Sequence, residues 1–492
     1  MRACALLLLG GVGLIVGSAC SGDDGPAPCS DAAAGCDAGV RPREDAGPDA
    51  GADGDAGAVD GGVPDAAIRP DAGPPPPLDP RVTRFELVAS DPEAGEAPAG
   101  APGNSWGGHQ QRIVRLSTGE VYAAYIVSPP SGTDPSDAQW VLVRRGADDA
   151  DGWSEVGRRR CGREPMHLLR TASDGLLILS WPGRPAAWTV TTGPTPAISD
   201  PDPIPGGWET LTGSSTPYSG AGVSPDGHVC FIASRGVAGT MPGATYSADS
   251  AWDFACRAPS GAWSAMTTLP IGLRFCYPFV LTRDPGAWRL VATRDVLWEA
   301  AGYTRPAGAF SYVFNAVDLW QFDSPTASTP AGRSELGRLE PGAGSSVVRY
   351  AVGDAMVDHL GRLHVLTQSR TSAGDWQMRH LLVDGAGEVT ESGFRVGGYT
   401  DGSIRLVQDD FGRFVLLFTN SPDAYALLAT DGEASAYGSP ISFTDSFAAH
   451  GGGLRGPPYI AAPRGGTPAG RFVDLLMDSA DGALYYVRIA LY

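Results

Sequence analysis

The sequence predicts an all-β chain folded as a seven-bladed β-propeller, and three observations carry that expectation. From Thr83 onward, short apolar, β-branched and aromatic runs alternate with clusters of Gly, Pro, Asp and Ser, with no sustained helical period. A unit of strand, glycine-bearing turn and stronger strand recurs along the chain. Strand-like segments left over at the two ends can pair with each other, which would close a ring and remove its open edges.

The first unit is Arg112–Tyr125, turning at Gly119. Leu168–Ser180 turns at Gly175, Ala221–Ala233 at Gly227, Phe279–Ala292 at Gly286, Ala355–Leu366 at Gly361 and Arg405–Phe418 at Gly412. A looser seventh runs from Tyr459 through Gly470 to Leu476. Successive turn glycines lie 51 to 75 residues apart, room for one four-stranded blade each. Glycine is expected at these turns because a tight hairpin needs positive φ. Trp140–Arg144, Trp252–Cys256 and Trp376–Leu382 supply further strands. The last unit ends with Ala483–Ile489 and lacks an outer strand, whereas Thr83–Val88 has no partner at the start. Pairing the two completes a seventh blade; six blades are the alternative.

Ahead of this region, Met1-Arg2 leads into an apolar run from Ala3 to Ala19, the pattern of a secretory signal peptide over residues 1–19. Its ending, Val16-Gly17-Ser18-Ala19-Cys20, resembles the lipobox of bacterial lipoproteins, with Gly17 where Leu, Val or Ile is usual. That resemblance implies lipidation of Cys20 and attachment to a membrane through the lipid. It places the protein in the cell envelope, at the outer membrane if the cell is Gram-negative, since Ser21 is not the aspartate of the inner-membrane retention pattern. An ordinary secretory signal is the alternative. Residues 20–80 then read as a disordered Asp/Ala/Gly/Pro-rich tether, too poor in large apolar side chains to offset the entropy of ordering. The propeller domain is expected over residues 81–492.

Residues 21–80 hold 13 acids and 3 arginines, and residues 81–492 hold 42 acids and 32 arginines, so half of the excess negative charge sits in the tether. There is no lysine, and the net charge of −19 excludes the basic footprint that nucleic acid demands. No EF-hand spacing occurs among the tether aspartates, so structural calcium is not indicated, and no cofactor is expected. A monomer is expected. Cys161, Cys230, Cys256 and Cys276 form an even set, compatible with disulfides in an oxidising compartment. Cys230–Cys256 is the preferred pair because both lie on strands of one repeat.

The repeats, with turns such as Ala150-Asp-Gly-Trp-Ser154 and Pro259-Ser-Gly-Ala-Trp-Ser264, resemble the sialidase-like, Asp-box (BNR) propellers. The motifs are degenerate: Ser247-Ala-Asp-Ser-Ala-Trp252 lacks the glycine of an Asp-box, and Arg112-Ile-Val stands where sialidases carry Arg-Ile-Pro. In a propeller the innermost strand of each blade lines the channel. The residues before or within those strands are His109, Arg112, His167, Arg170, Tyr218, Arg274, Tyr277, Arg349, Tyr350, Asp354, Arg405 and Tyr459. Arginine forks match carboxylates, Tyr and His transfer protons, and aromatic faces suit sugar rings. Propeller-type polysaccharide lyases, which this set resembles, use such groups to neutralise a uronate and take its C5 proton. Gly-x-Ser-x-Gly, His-Glu-x-x-His and Walker loops are absent. His364 alternates with Leu363 and Val365 as a strand-face residue rather than a metal ligand, and Asp409-Asp410 reads as a solvated turn. The favoured reading is a binding or scaffold module for a glycan or envelope protein. The alternative is a lyase or sialidase-like glycosidase on anionic glycans, and it requires acid, base and carboxylate-binding groups to converge at one place.

Overall fold

The computed structural model describes residues 74–90, 109–127, 138–148, 152–161, 166–208, 218–235, 250–282, 287–299, 302–307, 312–340, 349–370, 376–384, 387–394, 404–420, 423–431, 434, 436–449, 460–461, 470–478 and 483–492. The signal, Cys20, most of the tether, Gly286 and Tyr459 lie outside them, as does the side chain of Arg349.

Seven blades follow one another, six of four strands and blade 2 of five. A leading strand, β1 (Arg81–Ala89), is held for the end. Blade 1 is β2 (Ile113–Arg115), β3 (Val121–Val127), β4 (Gln139–Arg145) and β5 (Trp153–Arg160). Blade 2 is β6 (His167–Arg170), β7 (Leu176–Ser180), β8 (Ala186–Thr191), with β9 (Ala197–Ile198) and β10 (Asp202–Pro203) sharing the outer edge. Blade 3 is β11 (Ser219–Val223), β12 (Val229–Arg235), β13 (Ser250–Arg257) and β14 (Thr267–Gly272). Blade 4 is β15 (Phe275–Thr282), β16 (Trp288–Leu297), β17 (Tyr312–Phe322) and β18 (Gly332–Arg338). Blade 5 is β19 (Arg349–Val357), β20 (Leu363–Arg370), β21 (Trp376–Val383) and β22 (Val389–Phe394). Blade 6 is β23 (Ile404–Gln408), β24 (Phe414–Asn420), β25 (Asp423–Leu428) and β26 (Ile441–Ser442), followed by the short helix α1 (Thr444–Ala449). Blade 7 is β27 (Ile460–Ala461), β28 (Phe472–Asp478) and β29 (Leu484–Ala490), and β1 pairs antiparallel with β29 from Arg81↔Ala490 to Ala89↔Leu484. The ring is closed by the first strand, as the unpaired ends of the sequence require.

The middle strands explain the apolar runs. β3 is buried at six of its seven residues and β7 at all five, because each blade packs on a neighbour on both sides. Outer β5 is partly covered at Trp153, Val156 and Gly157 and exposed at its other five residues. Seven apolar layers fill the spaces between blades. In the layer between blades 1 and 2, Trp140 meets Trp188 edge to face at 5.5 Å amid Tyr122, Leu142, Leu168 and Ile178. The last layers run between blades 6 and 7 and back to blade 1, where Tyr486 and Leu484 meet Ile113 and Tyr125.

The repeated hairpin turn is a type I turn followed by one left-handed residue. Gly119, Gly227, Gly361 and Gly412 hold that place, with φ between 77° and 89°. In blade 2 the register differs by one: Asp174, φ 61°, takes the left-handed place expected of Gly175, and its N–H donates to Thr171 O. Aspartate tolerates this conformation, and here its carboxylate accepts from Arg170 and from Ser117 of the neighbouring blade.

Asp409 is a second correction. It is fully buried, not solvated: one oxygen accepts from Phe411 N and Arg413 N, the other from Arg413 Nε at 2.7 Å. Asp358 organises the equivalent turn of blade 5 in the same way. Its second oxygen also meets His364 Nε2 at 3.0 Å, and His364 Nδ1 meets His380 Nε2 at 2.9 Å. His364 is thus a wholly buried strand residue inside a polar chain between blades 5 and 6.

Cys230 and Cys256 face each other across β12 and β13 and form the disulfide. Cys161 and Cys276 are buried in separate cores.

All inner strands start at one face of the ring, the upper face, and run to the lower one, where the glycine turns lie. The N-terminal segment enters at the lower face: Arg413 donates to Pro76 O at 2.5 Å, Leu78 is packed between blades 6 and 7, and Asp79 N donates to Leu491 O.

Candidate functional site

At the upper face, where the inner strands of blades 1 to 4 begin, polar and aromatic side chains gather. His109 and Arg112 precede β2, His167 starts β6, Tyr218 and Ser219 start β11, and Arg274 and Tyr277 open β15. Ser219 ties the two imidazoles together. His109 Nε2 donates to its carbonyl at 2.9 Å, and His167 Nε2 shares a hydrogen bond with its hydroxyl at 3.1 Å. Because a carbonyl only accepts, the neutral His109 tautomer carries its proton on Nε2 and its lone pair on Nδ1. The ring of His109 lies 5.4 Å from Tyr277, and Tyr277 lies 5.4 Å from Tyr218. Arg274 sits over the Tyr218 ring at 5.0 Å and the Tyr312 ring at 5.4 Å, with Asp295 at 3.2 Å behind it.

His167 is 1% exposed, and burial, reinforced by the positive charge of Arg112, pushes its pKa down to about 3. It is therefore neutral at any ordinary pH. His109, Arg112 and Tyr218 are also buried, whereas Tyr277 and Arg274 reach partly into solvent. These two form the accessible surface of the cluster.

Tyr277 is held in strain. Its φ is +52°, a conformation rare for a bulky side chain, and Pro278 follows it. The β15–β16 register breaks between Cys276 and Phe279, so the strand bulges where Tyr277 leaves it. A strained residue of this kind costs about 1–3 kcal/mol and persists only where its surroundings impose it. The imposing neighbour is β11, whose Gly220 and Gly222 let the carbonyls of Pro278 and Val280 approach closely.

Six of the expected channel residues thus meet: His109, Arg112, His167, Tyr218, Arg274 and Tyr277. Four others do not. Arg170 lies at the lower end of β6, paired with Asp174 at 2.5 Å. Tyr350 is wedged between blades 4 and 5, its hydroxyl against Gly337. Asp354 staples two inner strands, accepting from Ala355 N at 2.9 Å and Leu406 N of blade 6 at 2.8 Å. Arg405 is 1% exposed and donates to Ile404 O. Arg170 lies at the far end of its strand, and Tyr350, Asp354 and Arg405 are buried within or between blades 4 to 6, so the four stand apart from the cluster. Ser219, Tyr312 and Asp295 were not foreseen; only the position of Ser219 beside Tyr218 at a strand start could have pointed to it.

No protein-family model and no curated protein matches the sequence. Among solved structures, the chain is similar to the polysaccharide lyase Uly1, at 12% identity over 84% of this chain and 99% of that one, with a TM-score of 0.50. It is also similar to the α-L-arabinofuranosidase Arb93A of Fusarium graminearum (11% identity, 84% and 98% covered, TM-score 0.39). A third is the α-L-arabinanase of Penicillium chrysogenum (10% identity, 83% and 98% covered, TM-score 0.41). What they share is the propeller. The likeness to Uly1 is one of fold alone, and function has to be argued from the site.

Proposed function

We propose that this protein is a carbohydrate-active enzyme that cleaves an anionic, uronate-containing polysaccharide by β-elimination at the upper-face cluster. The carrying observation is the cluster itself: buried His109 packs on Tyr277, and Tyr277 and Arg274, both against Tyr218, reach partly into solvent, which brings base, acid and carboxylate-binding groups into one chain of contacts. Arg274 holds the uronate carboxylate and draws its charge, which acidifies the adjacent C5–H. His109 Nδ1 takes that proton, the C4–O bond to the departing chain breaks, and a C4=C5 double bond forms. The Tyr277 hydroxyl gives its proton to the departing oxygen, and no water or oxidant is consumed. His167 stays neutral and keeps Ser219, and through it His109, in place.

Elimination is favoured over hydrolysis because glycosidases generally need a pair of carboxyl groups flanking the bond. Asp295 meets this cluster and is engaged with Arg274 at 3.2 Å. The test is incubation with polyuronates and sulfated uronate polymers, following the ultraviolet absorbance of the unsaturated product. His109→Ala and Tyr277→Phe should each lower turnover about 10²-fold or more, and Arg274→Ala should chiefly weaken substrate binding. Tight binding by the wild type without any product would return the protein to the binding-module reading.

We also propose that Cys20 carries lipid and anchors the protein as an envelope monomer. A lipid label incorporated by the wild type and lost in Cys20→Ser is the expected result.

A further inference from the structure

Strand β5, Trp153-Ser-Glu-Val-Gly-Arg-Arg-Arg160, ends in three consecutive exposed arginines against one acid. Such a run stands out in a chain whose net charge is −19. Arg158 is held by Glu155 at 2.6 Å, and the Arg159 guanidinium donates to Arg158 O at 2.8 Å.

The register of blade 1 gives the height of this run. Arg112 O accepts from Ala124 N, and Ala124 pairs with Leu142, which pairs with Gly157. The next rungs toward the upper face are Tyr125–Val141–Arg158, Ile126–Trp140–Arg159 and Val127–Gln139–Arg160. The three arginines therefore stand level with His109 to Gln111, three strand spacings out from the inner strand, about 14 Å. Exposed Arg184 lies on the upper-face turn between β7 and β8 of the adjacent blade, nearer the centre.

Arg158 and Arg160 share the face of Tyr125 and Val141, toward blade 7, and Arg159 shares the face of Trp140, toward blade 2 and Arg184. We propose that Arg184 and Arg159 form a radial track, with Arg158 and Arg160 adding positive charge from the other face of the same strand, and that it binds the anionic groups of sugar units beyond the one held at the cluster. The ligand class is an extended polyanionic polysaccharide, bound through carboxylate or sulfate oxygens, and the track sets a preference for long chains. This inference rests on the proposed lyase reading for its cleavage arm but not for its binding arm. Exposed ion pairs are individually weak, so several must act together. An anionic membrane surface is the competing partner.

The experiment uses the full chain with Arg158→Ser, Arg159→Ser and Arg160→Ser combined. Binding to a sulfated uronate polymer is measured by calorimetry at two salt concentrations, and the specificity constants for polymer and for short oligomer are compared. The substitution is expected to weaken polymer binding about tenfold at low salt and to flatten its salt dependence. It should also cut the polymer-to-oligomer ratio of kcat/KM by a similar factor. Polymer binding and chain-length preference equal to wild type would overturn the track. So would loss confined to binding of phosphatidylglycerol vesicles. Weakened polymer binding in the variant, with no cleavage by either protein, would support the track while removing the lyase reading.

Discussion

Gly220→Ala probes whether the contact between the inner strands of blades 3 and 4 sets the geometry of the cluster. An ideal Cβ on Gly220 falls 2.3 Å from Pro278 O and 3.1 Å from Pro278 Cγ and Val280 Cγ2. Carbon and carbonyl oxygen normally rest at about 3.3–3.6 Å, so the two strands must part by about 1 Å. Overpacking of this size costs about 1–3 kcal/mol. The displaced segment, however, carries Tyr277 one residue before Pro278, and a 1 Å misplacement of a reacting group can cost about 10²-fold in rate. Gly337→Ala is the matched control. Its Cβ would meet the Tyr350 hydroxyl between blades 4 and 5, away from the cluster. Thermal melting and turnover on a uronate polymer are measured for both. Both variants should melt lower, and Gly220→Ala alone should lose turnover far beyond its loss of stability. Wild-type turnover in Gly220→Ala, or an equal loss in Gly337→Ala, would refute the reasoning.

Three other outcomes are expected. His167 and His380 are held neutral with pKa values near 3, by burial first and then by Arg112 and His364 respectively. The unfolded chain protonates them near 6.5, so each costs about 1.4 kcal/mol of stability per pH unit as pH falls from about 6.5 toward 3. Asp358 and Asp474 resist the upward push of burial through His364 with Arg362 and through Arg115, and sit near 2, so their contribution is lost only below about pH 4. Denaturant midpoints that stay level between pH 6.5 and 4.5 would contradict the histidine account. The Cys230–Cys256 bridge closes a separation of 26 residues, which corresponds to about 3–4 kcal/mol by the chain-entropy relation. Converting both to alanine should lower stability by that order, and a change under about 1 kcal/mol would mean the unfolded chain is hardly constrained. Asp354→Ala strands two buried N–H groups at about 1–3 kcal/mol each. It should lower the melting temperature without altering polymer binding; the opposite pattern would restore Asp354 to the channel.

The architecture was legible because a propeller repeats its grammar. Each hairpin advertises itself by an apolar run, a turn and a second run. The leftover Thr83–Val88 segment foretold the closure seen between β1 and β29. The site was legible only in part, since a strand start announces that a residue is near the mouth but not which way it points. Tyr218 and Tyr350 occupy similar places in their repeats, yet one meets Arg274 and the other fills an inter-blade core. The bulge that turns Tyr277 outward depends on a contact with Gly220, 58 positions upstream of Pro278. No local pattern reveals it. Likewise Asp174 takes a left-handed place beside a glycine that any turn rule would choose first.

The chain reaches the ring through Pro76 and Leu78 at the lower face, while His109, Tyr277 and Arg274 stand at the upper one. Under the proposed lipid anchor at Cys20, a protein hung this way would present its mouth outward, with its own thickness between the anchor and the proposed substrate. On the proposed lyase reading, a long polymer arriving from outside would cross the mouth from rim to rim on the side opposite the N-terminal entry, so cutting in mid-chain would be as open to it as trimming from an end.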